Sequence, residues 1–320
     1  MRLLYALCTA VMAACIAPVA HAQAYPNKPI KIIVAYQAGQ GTDVATRYLS
    51  EQLGRELGQP IIVENRPGAG ANLGTEIAAQ APADGYTLTM GTNATHVLNQ
   101  FLYTGLRFDA ERDFEPIALV GTFPMVFAVG PQSQLQSAAD LLAEARKSAR
   151  SADVALPSTT ARLVVELLKD RSGVAVFGVP YKGSATAMND LLGGQVPVIV
   201  DTPTALRPQI AGGKVRAIGV TSAKPSSLVP GVKPLSEQGF ANFEVIAWNA
   251  LYAPRGTPPA VIGMLNAAIV KVLARPDTQQ KLLDLGFEPA GGTPAQLAEF
   301  ARAERRKWEP IIKGAGIKAE

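Results

Sequence analysis

The sequence predicts an α/β protein of two doubly wound domains, each a largely parallel sheet covered by helices. Three observations predict it. Short apolar runs bounded by Pro and Gly alternate along the chain with stretches of helical period. The turns that follow the apolar runs are rich in Gly, Ser, Thr and Asn. A second series of such units lies in the middle of the chain, flanked on both sides by segments assigned to the first.

The elements follow in order. Arg2 supplies a short positive start, Leu3 to Ala17 an apolar run too short to span a bilayer, and Ala20 and Ala22 a small-x-small pair, the pattern of a secretory signal cut after Ala22. The rival reading is a lipoprotein signal with Cys15 as the lipid-bearing residue; against it stand Met12 and an apolar run that continues past the cysteine. Both cysteines, Cys8 and Cys15, lie in this segment, so the chain from Gln23 to Glu320 carries no thiol and is held together by its core.

Ile30 to Ala35 reads as a buried strand between Pro29 and the glycines at 39 and 41. Ala45, Leu49, Leu53 and Leu57 then recur at helical spacing, and Gly58 stands where the helix should stop. A strand over Ile61 to Glu64, the loop NRPGAGANLG, a helix from about Thr75 to Ala81, a turn at Ala83-Asp84-Gly85 and a strand over Tyr86 to Met90 complete a second unit. Further strands are expected at Met125 to Val129, Val174 to Val179, Val196 to Val200 and Val215 to Val220, with helices at about 138 to 149 and 160 to 170. Strand-like Phe243 to Ala253 leads into helices at the carboxyl end. Their starts are marked by Thr257-Pro258 and by Thr293-Pro294-Ala295-Gln296, which combines a hydroxyl cap, a first-position proline and a glutamine three residues on; Ser137 with Asp140 marks an earlier start. The chain therefore enters a second domain near Phe123 and returns near Val245. The expected division is a signal over 1–22, a first domain over 23–124 and 246–320, and a second over 125–245, joined by two crossovers and a hinge.

The formal charge of +4 is scattered. Its one cluster, Arg302 to Lys307, is interrupted by Ala303 and Glu304 and reads as a solvated helix face rather than a nucleic-acid stripe. Reactive groups are few. Without cysteine, and with His96 the sole histidine beyond the signal, thiolate catalysis, iron–sulfur ligation and a His-rich zinc site are excluded. Gly39-Gln40-Gly41-Thr42-Asp43 lacks the third glycine of a dinucleotide fingerprint, and Gly212-Gly213-Lys214-Val215 lacks the hydroxyl of a P-loop, so no cofactor is expected. Asp43 is either a helix N-cap or, facing Asp201, half of a carboxylate pair. His96 either meets a ligand or hydrogen-bonds to backbone.

The positive signal is the set of strand-to-helix turns at Gly39 to Asp43, Gly91 to His96, Ser158 to Arg162 and Gly183 to Thr186. In an open parallel sheet, ligands bind beyond the carboxyl ends of the strands, where helix N-termini present unsatisfied N–H groups. Glycine lets the backbone approach closely, and Thr42, Asn93, Thr95, Ser158, Thr159 and Ser184 offer neutral hydrogen bonds, so the four turns together suit an anion. Taken singly, each is also an ordinary turn or cap.

Six segments in order, YPNKPIKIIVAYQAGQGTD, VENRPGAGANLGTE, APADGYTL, MGTNATH, VPYKGSATAMNDLLGGQV and LYAPRGTP, make the chain from Tyr25 onward resemble the Bug family, the extracytoplasmic receptors of tripartite tricarboxylate transporters. The resemblance implies a periplasmic-binding-protein type II-like Venus flytrap. Two domains would close over a small carboxylate, with no reaction performed on it. Backbone amides, hydroxyls and ordered water would hold the guest, and no dedicated arginine. Mapped onto this chain, the site comprises Gly39, Gly41, Thr42 and Asp43 from the first loop, Asn93, Thr95 and His96 from the second, and Ser158, Thr159, Gly183, Ser184 and Asp201 from the second domain; Lys182 matches too. Two departures stand out. Ala35, Gln37 and Gln40 occupy a loop that in the family often carries proline and a glycine triplet. Ala155 to Thr160 replaces a glycine-rich turn, with Arg162 where histidine or glutamine is common. Arg162 either pairs with a second ligand carboxylate or points into water. The expected partners are a small carboxylate and the membrane components of a tripartite tricarboxylate transporter, met by a periplasmic monomer. The competing outputs are presentation of the ligand to a membrane sensor, and a secreted hydrolase using Asp43 and Asp201.

Overall fold

The computed structural model describes residues 25–148 and 152–318. The signal segment, with Cys8, Cys15 and the cleavage position after Ala22, lies outside the described residues.

Two sheets organise the chain. The first holds β1 (Ile30–Val34), β2 (Ile61–Asn65), β3 (Thr87–Thr92), β4 (Phe114–Pro124), β10 (Ile246–Pro254) and β11 (Glu288–Pro289), in the order β11-β4-β10-β3-β1-β2. The second holds β5 (Val126–Val129), β6 (Val154–Leu156), β7 (Gly178–Pro180), β8 (Val198–Asp201) and β9 (Arg216–Val220), in the order β7-β6-β8-β5-β9. Strand β1 lies between β2 and β3, parallel to both, which is why its sequence is apolar almost throughout. Each sheet also contains strands that run against the parallel set. β10 is antiparallel to β3 and β4, and β5 is antiparallel to β8 and β9. The expectation of parallel sheets is thus modified where the chain passes between the two lobes, because β5 continues directly from β4 and β10 brings the chain back.

The helices are α1 (Gly41–Leu57), α2 (Asn72–Ala79), α3 (Asn99–Leu102), α4 (Ala138–Lys147), α5 (Thr159–Ser172), α6 (Ser184–Leu192), α7 (Pro203–Ala211), α8 (Pro259–Leu273), α9 (Pro276–Asp284) and α10 (Pro294–Gly314). In α1 the residues Ala45, Leu49 and Leu53 are buried at helical spacing, and Gly58 ends the helix in a left-handed conformation. The caps read from sequence form. Ser137 accepts from the Asp140 amide, and Thr293 and Gln296 close a reciprocal capping box. The start near Thr257 falls slightly later than expected, with Pro258 as the cap of α8, and the Thr257 hydroxyl instead donates to the Pro254 carbonyl in the preceding turn.

The crossovers are stitched at one residue. The buried Thr221 hydroxyl donates to the Val245 carbonyl at 2.6 Å and accepts from the Met125 amide at 2.8 Å, while its backbone bonds to the same two residues. The chain's outward and return paths are thereby held side by side. Trp248, just beyond, is fully buried and packs edge-on against Phe300. The lobes touch again away from this point. The Thr204 hydroxyl donates to the Leu285 carbonyl at 2.6 Å, and Arg207 reaches the Leu283 carbonyl.

Candidate functional site

The cleft between the sheets begins with local sequence. β1, β3, β6, β7 and β8 all end on the same edge, and the chain leaves each of them through a polar turn. After β1 it passes Tyr36 to Gln40 into α1; after β6, Ser158 caps α5 by accepting from the Ala161 amide; after β8, Thr202 caps α7 by accepting from the Ala205 amide. α6 begins at Ser184 behind Gly183. The first turns of α1, α5, α6 and α7 therefore meet at one place.

That place is a recess of about 30 Å³, lined by Gly41, Thr42, Asn93, Ser158, Thr160, Ser184, Asp201, Thr202 and Asn249, with Tyr36, Gln40 and Thr92 at one side. It opens beside a larger cavity of about 480 Å³ that shares Tyr36, Gln40 and Ser158 and adds Tyr103, Thr159, Arg162, Tyr181 and Lys182. The two spaces differ in charge. Arg162 and Lys182 are the charged side chains lining the outer cavity, and Asp201 is the one lining the recess.

The recess wall contains polar atoms that no protein group satisfies. Asn93 Nδ2, Asn249 Nδ2 and Asp201 Oδ2 are all buried and unpartnered, although such groups normally cost stability when left so. Their orientation is fixed by their other atoms. Asn93 Oδ1 accepts from the Thr160 hydroxyl across the cleft at 3.3 Å, and Asn249 Oδ1 accepts from Thr42 at 3.3 Å. Asp201 Oδ1 accepts from the Thr202 amide at 2.7 Å. Burial pushes the Asp201 carboxyl up to about 6, against hydrogen bonds from Ser184 and Thr202 that act in the opposite sense. Tyr36 stays neutral, since burial raises it to about 12 even though its hydroxyl bonds with Thr92 at 2.9 Å.

Of the residues expected to form the site, Gly41, Thr42, Asn93, Ser158, Thr159, Arg162, Ser184 and Asp201 line the recess or the outer cavity. Gly183 stands at the edge, against Gln37. Gly39 is exposed in the first loop and lines neither space, and Asp43, Thr95 and His96 lie behind the wall. Asp43 is not the cap of α1 but sits inside its first turn, where Oδ2 accepts from the Gly39 amide at 2.8 Å and from Arg47 at 3.0 Å, and Oδ1 accepts from Asn65 at 2.8 Å. Burial would raise its carboxyl, yet these hydrogen bonds hold it below the usual carboxylate range. It is a clamp for the first loop, and it forms no acid–base pair with Asp201. Thr95 bonds to the Thr92 amide at 3.0 Å and to His96 Nδ1 at 2.9 Å. The His96 ring is stacked on Tyr252 at 4.0 Å and tilted against Phe114, so it belongs to the core; desolvation lowers it to about 3 and keeps it neutral.

Sequence reasoning missed Asn249, Thr160 and Thr202. For Asn249 a signal existed: it is the one amide in the otherwise apolar run IAWNALYAP, fully buried in a strand paired on both sides.

The model of the tripartite tricarboxylate transporter family receptor matches residues 45–317. Protein BugT of Bordetella pertussis is 34% identical over 99% of this chain and 98% of its own. The solved structure of R. palustris Rpa4515 with adipate superposes with a TM-score of 0.88 at 32% identity, covering 92% of this chain and 99% of the other. That of MatC (Rpa3494) from Rhodopseudomonas palustris, with bound malate, gives 0.85 at 30% identity, covering 90% and 100%.

Proposed function

Because the chain belongs to the tripartite tricarboxylate transporter receptor family, whose members are periplasmic solute-binding receptors and not enzymes, we propose that it captures a small dicarboxylate between its lobes for a membrane transporter. The signal segment, cut after Ala22, delivers it to the periplasm as a soluble monomer. The lobes are residues 23–124 with 246–320, and 125–245, hinged where Thr221 ties the crossovers.

One observation carries the ligand class: four helix N-termini and the unpartnered amides of Asn93 and Asn249 converge on a single buried recess. Aligned helix dipoles and N–H donors favour negative charge there, and a carboxylate accepts from all of them. The recess is large enough for one carboxylate group and not for a whole metabolite. The body of the guest then lies in the outer cavity, where Arg162 and Lys182 meet a second carboxylate. Adipate and malate, held by the two structural relatives, are acids of this kind. Closure follows from differential affinity, since recess donors come from both lobes and only the closed form presents them together.

A thermal-shift screen of the secreted form against mono-, di- and tricarboxylates tests this. A bound dicarboxylate at about 100 times its dissociation constant should stabilise the protein by roughly 2.7 kcal/mol. Recovery of the acid unchanged after long incubation should accompany it. A panel in which no carboxylate shifts the melting temperature would remove the proposal.

A further inference from the structure

The recess that receives a carboxylate is itself walled by a carboxyl group, and no cation lines it. Asp201 ends β8, 2% exposed, with one oxygen engaged by the Thr202 amide and the other making no well-formed hydrogen bond; the neighbouring Ser184 hydroxyl acts on the carboxyl, but less than burial does. The other lining groups are neutral amides, hydroxyls and the phenol of Tyr36. The charged groups of the surrounding elements are turned elsewhere. Asp43 and Arg47 of α1 bond to each other, Asp190 of α6 bonds to the Tyr181 hydroxyl, and Arg162 of α5 and Lys182 line the outer cavity. Two ionised carboxylates sharing so small and dry a space would repel each other, and the helix starts that favour one negative charge there would have to compensate two. A neutral carboxyl, by contrast, is a hydrogen-bond donor.

Resting on the carboxylate reading above, we propose that Asp201 enters the complex as a neutral acid: its free oxygen carries a proton and donates to the guest's carboxylate, so that capture takes up one proton from solvent. The one bond made is the O–H of the Asp201 carboxyl, formed with a proton from solvent and broken again when the guest leaves; the guest itself is unchanged. The ionised receptor must gain the proton to bind, and release of the guest returns it. Burial already holds the carboxyl near 6 without ligand, so most molecules at neutral pH start ionised. An oxygen acceptor beside it raises that value further in the complex.

The test uses the full secreted protein and adipate, with malate as the second probe, by titration calorimetry between pH 6 and pH 8, where both acids are ionised. With a carboxyl titrating near 6, affinity should be roughly fifty-fold weaker at pH 8 than at pH 6. At pH 7.5, buffers of different ionisation enthalpy should report uptake of about one proton per ligand. Asp201→Asn keeps a donor at the same position and should bind with a flat pH profile and no proton uptake. Carbon-13 NMR of the aspartate carboxyls in the free protein supplies an arm independent of the ligand, with one resonance titrating near 6 and absent from the Asn variant. PH-independent affinity of the unaltered protein, zero proton uptake, or an Asp201 resonance titrating near 4 would each overturn the proposal while leaving carboxylate capture intact. Failure of both acids to bind at every pH, with the NMR titration as expected, would instead overturn the carboxylate reading and the proposal resting on it.

Discussion

Asn249 shows how a single side chain divides its effect between stability and binding. Its amide nitrogen is buried without a protein acceptor, so the folded protein bears that desolvation unless a ligand relieves it. Asn249→Leu removes that burden but also the acceptor of the buried Thr42 hydroxyl, so the melting temperature is expected to stay nearly level while the best carboxylate weakens by about 1.5–3 kcal/mol, the usual worth of a hydrogen bond to a charged group. Calorimetry and thermal melting on one preparation check both. His96 separates the other way. Its ring is neutral in the fold, held to about 3, against an ordinary value near 6.5, so the unfolded chain takes up a proton first as pH falls. The stability it contributes is present above about pH 6.5 and is lost progressively toward pH 3. His96→Phe should flatten that part of the acid-melting profile, measured by circular dichroism, while ligand affinity changes less than about threefold. Asp201 has the opposite sign. Its folded value lies above the unfolded one, so stability declines from about pH 4 to pH 6 and stays lower above it. Asp201→Asn should thus be the more stable chain at pH 7.5, by up to about 3 kcal/mol, and gain nothing near pH 3.5. The sequence displayed the candidates at this scale but not their directions. A histidine or aspartate at a strand end looks the same whether it faces a cleft or a core, and only packing against Tyr252 and Phe114, or clamping by Asn65 and Arg47, decides.

At the scale of elements, what was legible depended on local chemistry. β1, α1 and the capped starts of α4 and α10 follow from apolar period and caps that each segment carries itself. β4 did not show, because Pro116, Gly121 and Pro124 break its sequence. The structure accommodates Pro116 beside a register shift against Leu251 and Tyr252, where the ladder is already irregular. The strand expected over Val174 to Val179 pairs only at Gly178–Pro180, since its neighbour β6 is three residues long. Two elements carry predictions. Thr221→Val keeps the shape of the side chain but deletes both hydroxyl bonds that stitch the crossovers, one of them satisfying the Met125 amide. It should cost about 1–3 kcal/mol by urea denaturation. Gly286, at φ +86, lies between the lobes, and a methyl there would stand 2.9 Å from the Thr204 backbone nitrogen and 2.8 Å from Pro203. Gly286→Ala should hold the lobes apart and weaken ligand binding more than it lowers stability in the absence of ligand, a difference that paired melts with and without ligand read directly.

For the molecule as a whole, the proposed function makes the division of charge between the two spaces the feature that sets ligand choice. On the proposed reading, the cation-free recess takes one carboxylate of any guest, while Arg162 and Lys182 in the outer cavity reward a guest with a second one. Arg162→Ala should therefore reduce the affinity for dicarboxylates and leave that for monocarboxylates nearly unchanged, narrowing the gap between them. This architecture was largely legible from the order of turns along the chain; the mixed strand directions and the position of Asn249 were not, since both arise from β10 returning between β3 and β4. The most direct measurement of the central claim is the crystal structure of the secreted form grown with its tightest-binding dicarboxylate. One carboxylate should lie in the recess, about 3 Å from Asn93 Nδ2, Asn249 Nδ2 and the backbone amides that open α1, α5 or α6, with its far end toward Arg162. A ligand bound outside the cleft, or with its carboxylates turned away from those helix starts, would contradict the account.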